Sequence, residues 1–446
     1  MRLCVKGAPD VLLARAGQYL AGAASGGAVA MDDAARAHWA AENEHLASQA
    51  MRVLAVAGKD IAARDFDPAG DLMAHMRELT LLGLVGLIDP PRPEAREAIA
   101  LCRRAGIAVK MITGDHRATA AAIARDLGIV GDVLEGRELD ALSPEALAAR
   151  VAGTAVFARV APEHKVRIVQ ALKANGQVVA MTGDGVNDAP ALKNADIGIA
   201  MGITGTEVTK EAATMVLTDD NFATIVRAVK EGRAIYDNMV KFVRFQLSTN
   251  MGAIQTVLGA SLLGWTTPFT AIQILWINII MDGPPAMSLG VEPARPGVMD
   301  EPPRRADAHI LTLPRLARLL VYGATMAVGT LALFHHARPQ GEAYALTLAF
   351  TVFVLFQFFN LFNARAEHGS AFDRNFLRNG WLWTSLAAVA ALQVLVVHWP
   401  PAQAVFNTTD LALRDWGLAV LVASSVLWLD EGRKFGQRLL RARRRA

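Results

Sequence analysis

From about Phe242 onward the chain stops mixing charged with apolar residues and runs in long segments almost free of ionisable side chains. One polypeptide must therefore satisfy two solvents. Segments near 240–264, 270–290, 315–336, 344–363, 380–399 and 412–429 each approach the roughly 20 residues a helix needs to cross hydrocarbon. In lipid every backbone donor and acceptor must be met within the structure, which leaves helices or a closed barrel. The segment lengths predict an α-helical transmembrane bundle of about six helices. The 53% hydrophobic content of the 446 residues, too high for an ordinary soluble protein, is concentrated here.

Arginines orient the segments. Arg295, Arg304, Arg305, Arg315 and Arg318 fall between the second and third segments or at the edge of the third. Arg365, Arg374 and Arg378 fall between the fourth and fifth, and the tail "RKFGQRLLRARRRA" follows the sixth. Arg-rich loops stay cytoplasmic, so both chain ends and the soluble half are expected in the cytoplasm of a multi-pass cell-membrane protein. The basic tail is read chiefly as an orientation signal that could also meet anionic lipid. The start "MRLCVKGAPD" has no apolar signal region, so insertion is expected to use internal segments. Cys4 and Cys102 lack metal or disulfide-framework spacing, which fits a reduced compartment. A formal net charge of +3 offers no global field for nucleic acid, and no nucleic-acid partner is expected.

Before Val240, β-branched runs alternate with helical patterns: "LLGLVGLID", "PEAREAIALCRRAG", "IAVKMITGD", "HRATAAAIARDLG", "TAVFARV", "PEHKVRIVQALKANG", "VVAMTGD", then "IGIAMG" and "TMVLTD". Strands alternating with helices predict an α/β parallel sheet covered on both faces, with active groups at strand carboxyl ends. "ITGD" and "MTGD" occupy that place. Residues 1 to about 80, with strand-like "MRVLAVAGK" and an alanine-rich helical region around 31–50, read as a separate small domain or part of one.

The stretch "MTGDGVNDAPALK" crowds carboxylates beside glycines. Gly183 and Gly185 permit a tight turn and close approach of a bulky anion. Asp184 and Asp188 offer hard oxygens of the kind that hold Mg2+ while leaving positions for water and phosphate. Asn187 is neutral where a third charge would be repelled, and Lys165, at a helix start, can offset phosphate charge. The pattern points to phosphoryl transfer. A solvated glycine-rich turn is the plainer reading of one Gly-Asp-Gly, but the second turn Thr113-Gly114-Asp115 and Lys165 converge on the same chemistry.

These strings resemble the P-type cation-transporting ATPases: "KGAPD" at 6–10, "DPPR" at 89–92, "TGD" at 113–115, "TGDGVNDAPALK" at 182–193, and "NFATIVRAVKEGRAIYDNMVKFVRFQLSTN" entering the membrane. The resemblance implies a haloacid-dehalogenase-like phosphorylation domain at 83–235, a partial nucleotide-binding domain at 1–82, a transmembrane domain at 236–431 and a basic tail at 432–446. It implies ATP and Mg2+ as cofactors. Lys6, Gly7 and Arg52 would belong to the ATP-binding region, and Asp89 and Arg92 would contact nucleotide or a hinge, although "DPPRPE" also reads as a plain helix start. Thr113, Gly114, Asp115, Arg159 and Lys165 would surround the nucleotide phosphates and transferred phosphoryl group. Asp184 would hold Mg2+, supported by Asn187 and Asp188. The family carries its nucleophilic aspartate in Asp-Lys-Thr-Gly-Thr, a string these residues do not contain. The chain is therefore expected to be the C-terminal portion of a pump, inactive without a missing N-terminal half. A membrane-anchored haloacid-dehalogenase-like phosphatase and a non-catalytic membrane fragment are the other readings; the phosphatase would need Asp89 as nucleophile.

Amide and ionisable groups inside a span are costly and default to function. Asn250, Asn278, Asp282 and Gln357 are the expected ligands of the transported ion, with Gly283, Pro284 and Pro285 breaking the helix beside Asp282. Asn360 and Asn363 read as glue between helices, and His335 and His336 as interfacial. "LWINIIMDGPPAMSLGVEP" resembles the sixth membrane helix of calcium pumps. Ala253, Met281 and Gln357 stand where reticulum-type pumps have Glu, Thr and Glu, so the plasma-membrane type is the nearer likeness. Fewer carboxylates favour one Ca2+ per cycle, since Ca2+ wants six to eight oxygens. Na+ or H+ stays open as the cargo.

Overall fold

The computed structural model of the chain describes residues 1–22, 27–62, 66, 71–87, 91–281, 283–305, 308–367, 369–372 and 376–443. It divides into Met1–Ala228 with Met299–Ala306, and Val229–Val298 with Asp307–Ala446.

In the first unit, β1 (Arg2–Gly7), α1 (Pro9–Arg15), β2 (Ala16–Leu20), β3 (Ala28–Ala30), α2 (Asp33–Ser48), β4 (Arg52–Asp60) and β5 (Leu79–Leu87) come first. Their strands form one sheet in the order β1-β4-β5-β2-β3. Strand alternation decides its faces. Ala55, Ala57, Leu79 and Leu81 are fully buried and pack with Leu12 and Leu13 of α1. Lys6 is paired with Val56, Leu54 with Val85, and Arg52 with Leu87, so these residues share the opposite face. Lys6, Arg52, Val85 and Leu87 are exposed there.

Strand β5 corrects one sequence reading. "LLGLVGLID" is expected to open the parallel sheet, yet β5 pairs antiparallel with β4 and parallel with β2. Burial of Leu79 and Leu81 against α1 fixes it in the N-terminal sheet, because shifting a strand by one residue would turn both outward.

The unit continues through α3 (Pro93–Arg104), β6 (Met111–Ile112), α4 (Arg117–Asp126), β7 (Asp132–Glu135), β8 (Thr154–Ala158), α5 (Pro162–Ala174), β9 (Ala180–Gly183), β10 (Ile197–Met201), α6 (Glu207–Ala212) and β11 (Met215–Leu217). Every pairing is parallel, as the alternation of strands and helices predicts. The strands nevertheless form two sheets of three, β6-β8-β7 and β11-β10-β9. Helix α5 serves both: Ile168 packs with Leu134 and Phe157 of the first, Val169 with Val179 and Met181 at the second. Ile112 of β6 touches both clusters. The end strands β6 and β9 are thus neighbours without pairing.

The second unit contains most of α7 (Phe222–Leu262), then α8 (Leu313–Ala337), α9 (Glu342–Arg365), α10 (Gly380–His398) and α11 (Leu413–Arg443). Among the described residues three helical stretches are long and apolar enough to cross a bilayer: Leu313–Gln340, Glu342–Arg365 and Gly380–His398. The other expected segments are helical but fall short for stated reasons. The later part of α7 is diluted by Gln246, Ser248, Thr249, Asn250 and Gln255. The 270–290 segment is broken into Ala271–Trp276, a π turn at Ile277–Met281 and Pro284–Gly290. In α11, Arg414 and Asp415 precede, and Asp430 and Glu431 follow, a shorter uncharged run. Helix α9 is central, with Phe350, Phe353 and Phe356 fully buried, as a helix apolar all round must be. Its carboxyl end is capped by Arg244, which donates to the carbonyls of Asn363 and Ala364, both at 3.3 Å.

Candidate active site

Each T-G-D turn prolongs a strand and is held there by neighbouring backbone. At β6, Thr113 N–H donates to Phe157 O at 2.9 Å, and Val160 N–H to Thr113 O at 3.2 Å. Thr113 Oγ1 donates to Asp115 Oδ2 at 2.8 Å and accepts from Asp115 N–H at 3.1 Å. Asp115 O in turn accepts from Arg159 N–H at 3.1 Å. Gly114 is exposed at the tip with nothing within reach of an added Cβ, leaving room for an anion.

At β9 the acids divide their labour. Asp188 is 6% exposed. Its Oδ1 accepts from Lys165 Nζ, and its Oδ2 accepts from the amides of Asp184 and Gly185, both at 3.3 Å. A Cβ on Gly183 would come within 2.4 Å of Asp188 Cβ, so glycine is required for this fold-back. Asp184 and Asn187 stay exposed. The carbonyl of Asp184 is held from the other side by Thr206 N–H at 3.0 Å and Thr209 Oγ1 at 3.2 Å. Sequence reasoning missed Thr206 and Thr209; the Ser/Thr-rich helix start was the available signal.

Lys165 lies in the first turn of α5, whose start follows Val160 at the β6 side, and it reaches Asp188 at the β9 side. Helix α5 therefore joins the two turns into one rim. His164 next to it is buried, accepting from Ala161 N–H at 3.1 Å and bonding Asp140 at 2.7 Å, which fixes that first turn.

Mg2+ suits the acids that remain open. Asp184 presents an exposed carboxylate on a loop fixed by Asp188, and Mg2+ keeps several waters and needs only one or two protein carboxylates beside phosphate. Asp188 is already committed to Lys165 and two amides, which leaves Asp184 the more open of the two carboxylates.

The remaining residues singled out in sequence are placed as follows. Arg159 is exposed, with positive φ of 49°, and pairs with Asp10 at 3.4 Å. Gly7 ends β1 beside exposed Lys6. Arg92 caps α3 and donates to Asp220 O at 3.1 Å, which ties it to a turn. Asp89 and Asp282 lie outside the described residues. Asn278 is exposed in the π turn and Asn250 exposed on α7. Gln357 is fully buried, accepting from Thr249 Oγ1 at 2.6 Å and donating to Phe353 O at 3.3 Å. Asn360 donates to Ser248 Oγ at 2.7 Å and Asn363 to Val426 O at 2.9 Å, so both bond between helices.

Asp220 was also missed, although "TDDN" carries turn chemistry. Its Oδ1 accepts from the amides of Gly202 and Ile203 at 2.7 and 3.0 Å, its Oδ2 from Thr204 N–H and Oγ1, both at 2.8 Å. These donors, that of Ile203 first, hold its pKa at about 2, below the ordinary 3.8. A lowered carboxylate pKa stabilises the fold above the unfolded value and loses that contribution as the pH falls from 3.8 toward 2. Hydrogen exchange of the Gly202–Thr204 amides should therefore show wild-type protection failing only across that acid window. In Asp220→Asn it should already be weakened at neutral pH; equal protection of both proteins at neutral pH refutes the assignment.

Residues 266–436 match the family described as "Cation transporting ATPase, C-terminus". Residues 13–196 and 166–229 match two families described as "haloacid dehalogenase-like hydrolase". A protein named "Calcium-transporting ATPase" from Bacillus subtilis is 44% identical over 436 residues, 96% of this chain and 48% of its own length. "Calcium-transporting ATPase type 2C member 2" from Mus musculus is 43% identical over 405 residues, 90% of this chain and 41% of its own. "Calcium-transporting ATPase 1" from Schizosaccharomyces pombe is 44% identical over 376 residues, 82% of this chain and 42% of its own. The chain thus spans about half the length, or somewhat less, of the curated relatives it matches. A haloacid-dehalogenase-like unit with paired T-G-D turns, helices long and apolar enough to cross a membrane in the matched C-terminal region and near-complete coverage by these relatives lead to one assignment: the chain belongs to the P-type cation-transporting ATPases.

Proposed function

We propose that this chain supplies the C-terminal part of an ATP-driven pump that exports Ca2+ across the plasma membrane through an aspartyl phosphate. It works with an N-terminal part that brings the phosphate-accepting aspartate. The carrying observation is that β6 and β9 are both end strands, both close in T-G-D, and are packed as neighbours through Ile112 without pairing. One further parallel strand between them would meet both unpaired edges and deliver its carboxyl end to the rim.

On this reading ATP lies against the exposed sheet face bearing Lys6, Gly7 and Arg52, with Asp89, Arg92 and Arg159 toward the phosphates. Thr113, Gly114 and Asp115 form one wall for the transferred phosphoryl group and Lys165 offsets its charge. Family members use ATP and Mg2+ in general; bound here, Mg2+ would be held by Asp184 and would neutralise charge building on the phosphate oxygens. Asp188 and Asn187 keep the Asp184 loop in place. Asn250, Asn278, Asp282 and Gln357 form the ion path, and the names of the matched relatives support Ca2+ as the cargo. The first two domains meet just after β5, near residue 87 rather than 82, because that strand belongs to the N-terminal sheet; a transmembrane domain over 236–431 and a tail follow, with both termini cytoplasmic.

The test is co-expression with the N-terminal half of the Bacillus subtilis relative, followed by uptake of radiolabelled Ca2+ into inverted vesicles. Uptake that needs ATP and both halves is expected. Halves that co-purify yet move no Ca2+ would overturn the assignment.

A further inference from the structure

The segment that carries Asn278 runs as two short helical rods, Ala271–Trp276 and Pro284–Gly290, with the π turn Ile277–Met281 between them. Each rod is gripped by side chains of its neighbours. In the first, Gln273 is fully buried and donates to Phe406 O at 3.1 Å. Trp276 Nε1 donates to Gln393 of α10 at 3.1 Å, and its ring meets Phe406 edge-on at 4.8 Å. The second rod buries Ala286 and Leu289 in one cluster with Phe245 of α7, Leu361 of α9 and Leu382 of α10.

A helix leaves its last carbonyls unpaired, and here other helices supply the donors. Asn379, which caps α10 by accepting from Leu382 N–H at 3.1 Å, donates Nδ2 to Ser288 O at 2.9 Å. Asn238 of α7 donates to Gly290 O at 3.2 Å and to Glu292 O at 2.7 Å. The carboxylate of Glu292 completes the grip: its Oε1 accepts from Arg365 Nε at 3.1 Å and Nη2 at 2.6 Å, its Oε2 from Asn379 Nδ2 at 2.7 Å. The side chains of Arg365 and Glu292 are 8% and 9% exposed. A carboxylate just past a helix carboxyl end is disfavoured by the helix dipole, and a buried ion pair adds little net stability once desolvation is counted. What this pair supplies is a fixed position, since it ties the end of the second rod to α9 and α10 while Asn238 ties it to α7.

We infer that Glu292, acting through Arg365 and Asn379, is a positioning residue for the transported ion. It holds the second rod still, so that the π turn is pinned from both sides and Asn278 keeps one height and one direction. A π turn carries an extra residue and is common at functional sites. With the second rod released, it can wind back toward α geometry, which would rotate Asn278. The inference rests on the proposed reading that Asn278 lies on the ion path.

Two variants weaken the grip without touching the π turn. Glu292→Gln removes the charge at its centre. Asn379→Ser keeps a capping oxygen for α10 but is too short to reach Ser288 O or Glu292, and it decides alone if Glu292→Gln fails to fold. In the full chain in nanodiscs, hydrogen exchange across 277–292 should quicken about tenfold in both variants, with Ala271–Trp276 unchanged. In the pump assembled with its N-terminal half, the Ca2+ concentration for half-maximal uptake should rise about three- to tenfold, with the maximal rate per folded pump kept. A merely structural loss would lower the amount of folded pump and leave the half-maximal concentration alone. Unchanged exchange, or faster exchange with an unchanged half-maximal concentration, overturns the inference. A wild-type assembly that takes up no Ca2+ fails the proposed function and, with it, the ion role of Glu292; the exchange arm separates that failure from a failure of the grip.

Discussion

Incubated with γ-labelled ATP and Mg2+, the purified chain should acquire no acid-stable, hydroxylamine-sensitive label. The same chain co-purified with an N-terminal half carrying Asp-Lys-Thr-Gly-Thr should acquire it. Each acid of the rim has a reason not to serve as nucleophile. Asp188 is buried under Lys165 and two amides. Asp115 accepts from Thr113 Oγ1, in a turn tied to β8 by Arg159 N–H. Asp184 is open, but on the proposed reading its carboxylate would hold Mg2+ and so would not be free to attack the phosphorus beside it. Loss of a nucleophile lowers turnover by about 10⁴-fold or more, so the two samples should differ by the full range of the assay. Hydrogen exchange gives an independent reading: Met111, Ile112 and the β9 amides should gain protection only when the second half is present, since only then are both strand edges paired. Label on the isolated chain, mapped to Asp115 or Asp184, would show that the site is whole without a partner strand.

What could be read beforehand was whatever depends on local pattern. "TGDGVNDAPALK" is constrained residue by residue: Gly183 because Asp188 folds back onto it, Asp188 because two amides and Lys165 need an acceptor. Such close local packing leaves its mark in a short string. The alternation of strands with helices likewise foretold parallel pairing. Pairing partners were not legible, because β5 has the same apolar run whether it joins a parallel or an antiparallel sheet. Its place was decided by a long-range contact, Leu79 and Leu81 against α1. The grips of Thr206 and Thr209 on Asp184 O, and of Asp220 on three amides, cross some twenty residues and leave only generic turn chemistry in the sequence. In the second unit, span counting by apolar length took no account of the π turn at Ile277–Met281 or of the acids that close α11.

In the assembled pump, Lys165→Met should slow phosphoryl transfer about 10²- to 10³-fold, the usual loss when one preorganised charge at a transition state is removed. The single variant confounds two effects. Lys165 also satisfies Asp188, whose side chain is 8% exposed, and stripping one partner from a mostly buried pair destabilises a fold by about 3 kcal/mol. Pairing Lys165→Met with Asp188→Asn separates them: the amide oxygen still accepts from Asp184 and Gly185, no buried charge is left alone, and much of the stability should return. Activity should not return with it, because the rim still lacks its cation, while Lys165→Arg should keep stability and recover part of the rate. Thermal unfolding and labelled-phosphate incorporation, measured on the same three preparations, decide the matter. If the double variant regains both stability and transfer, Lys165 is only a prop for the Asp184 loop, and the phosphate charge must be met by another group.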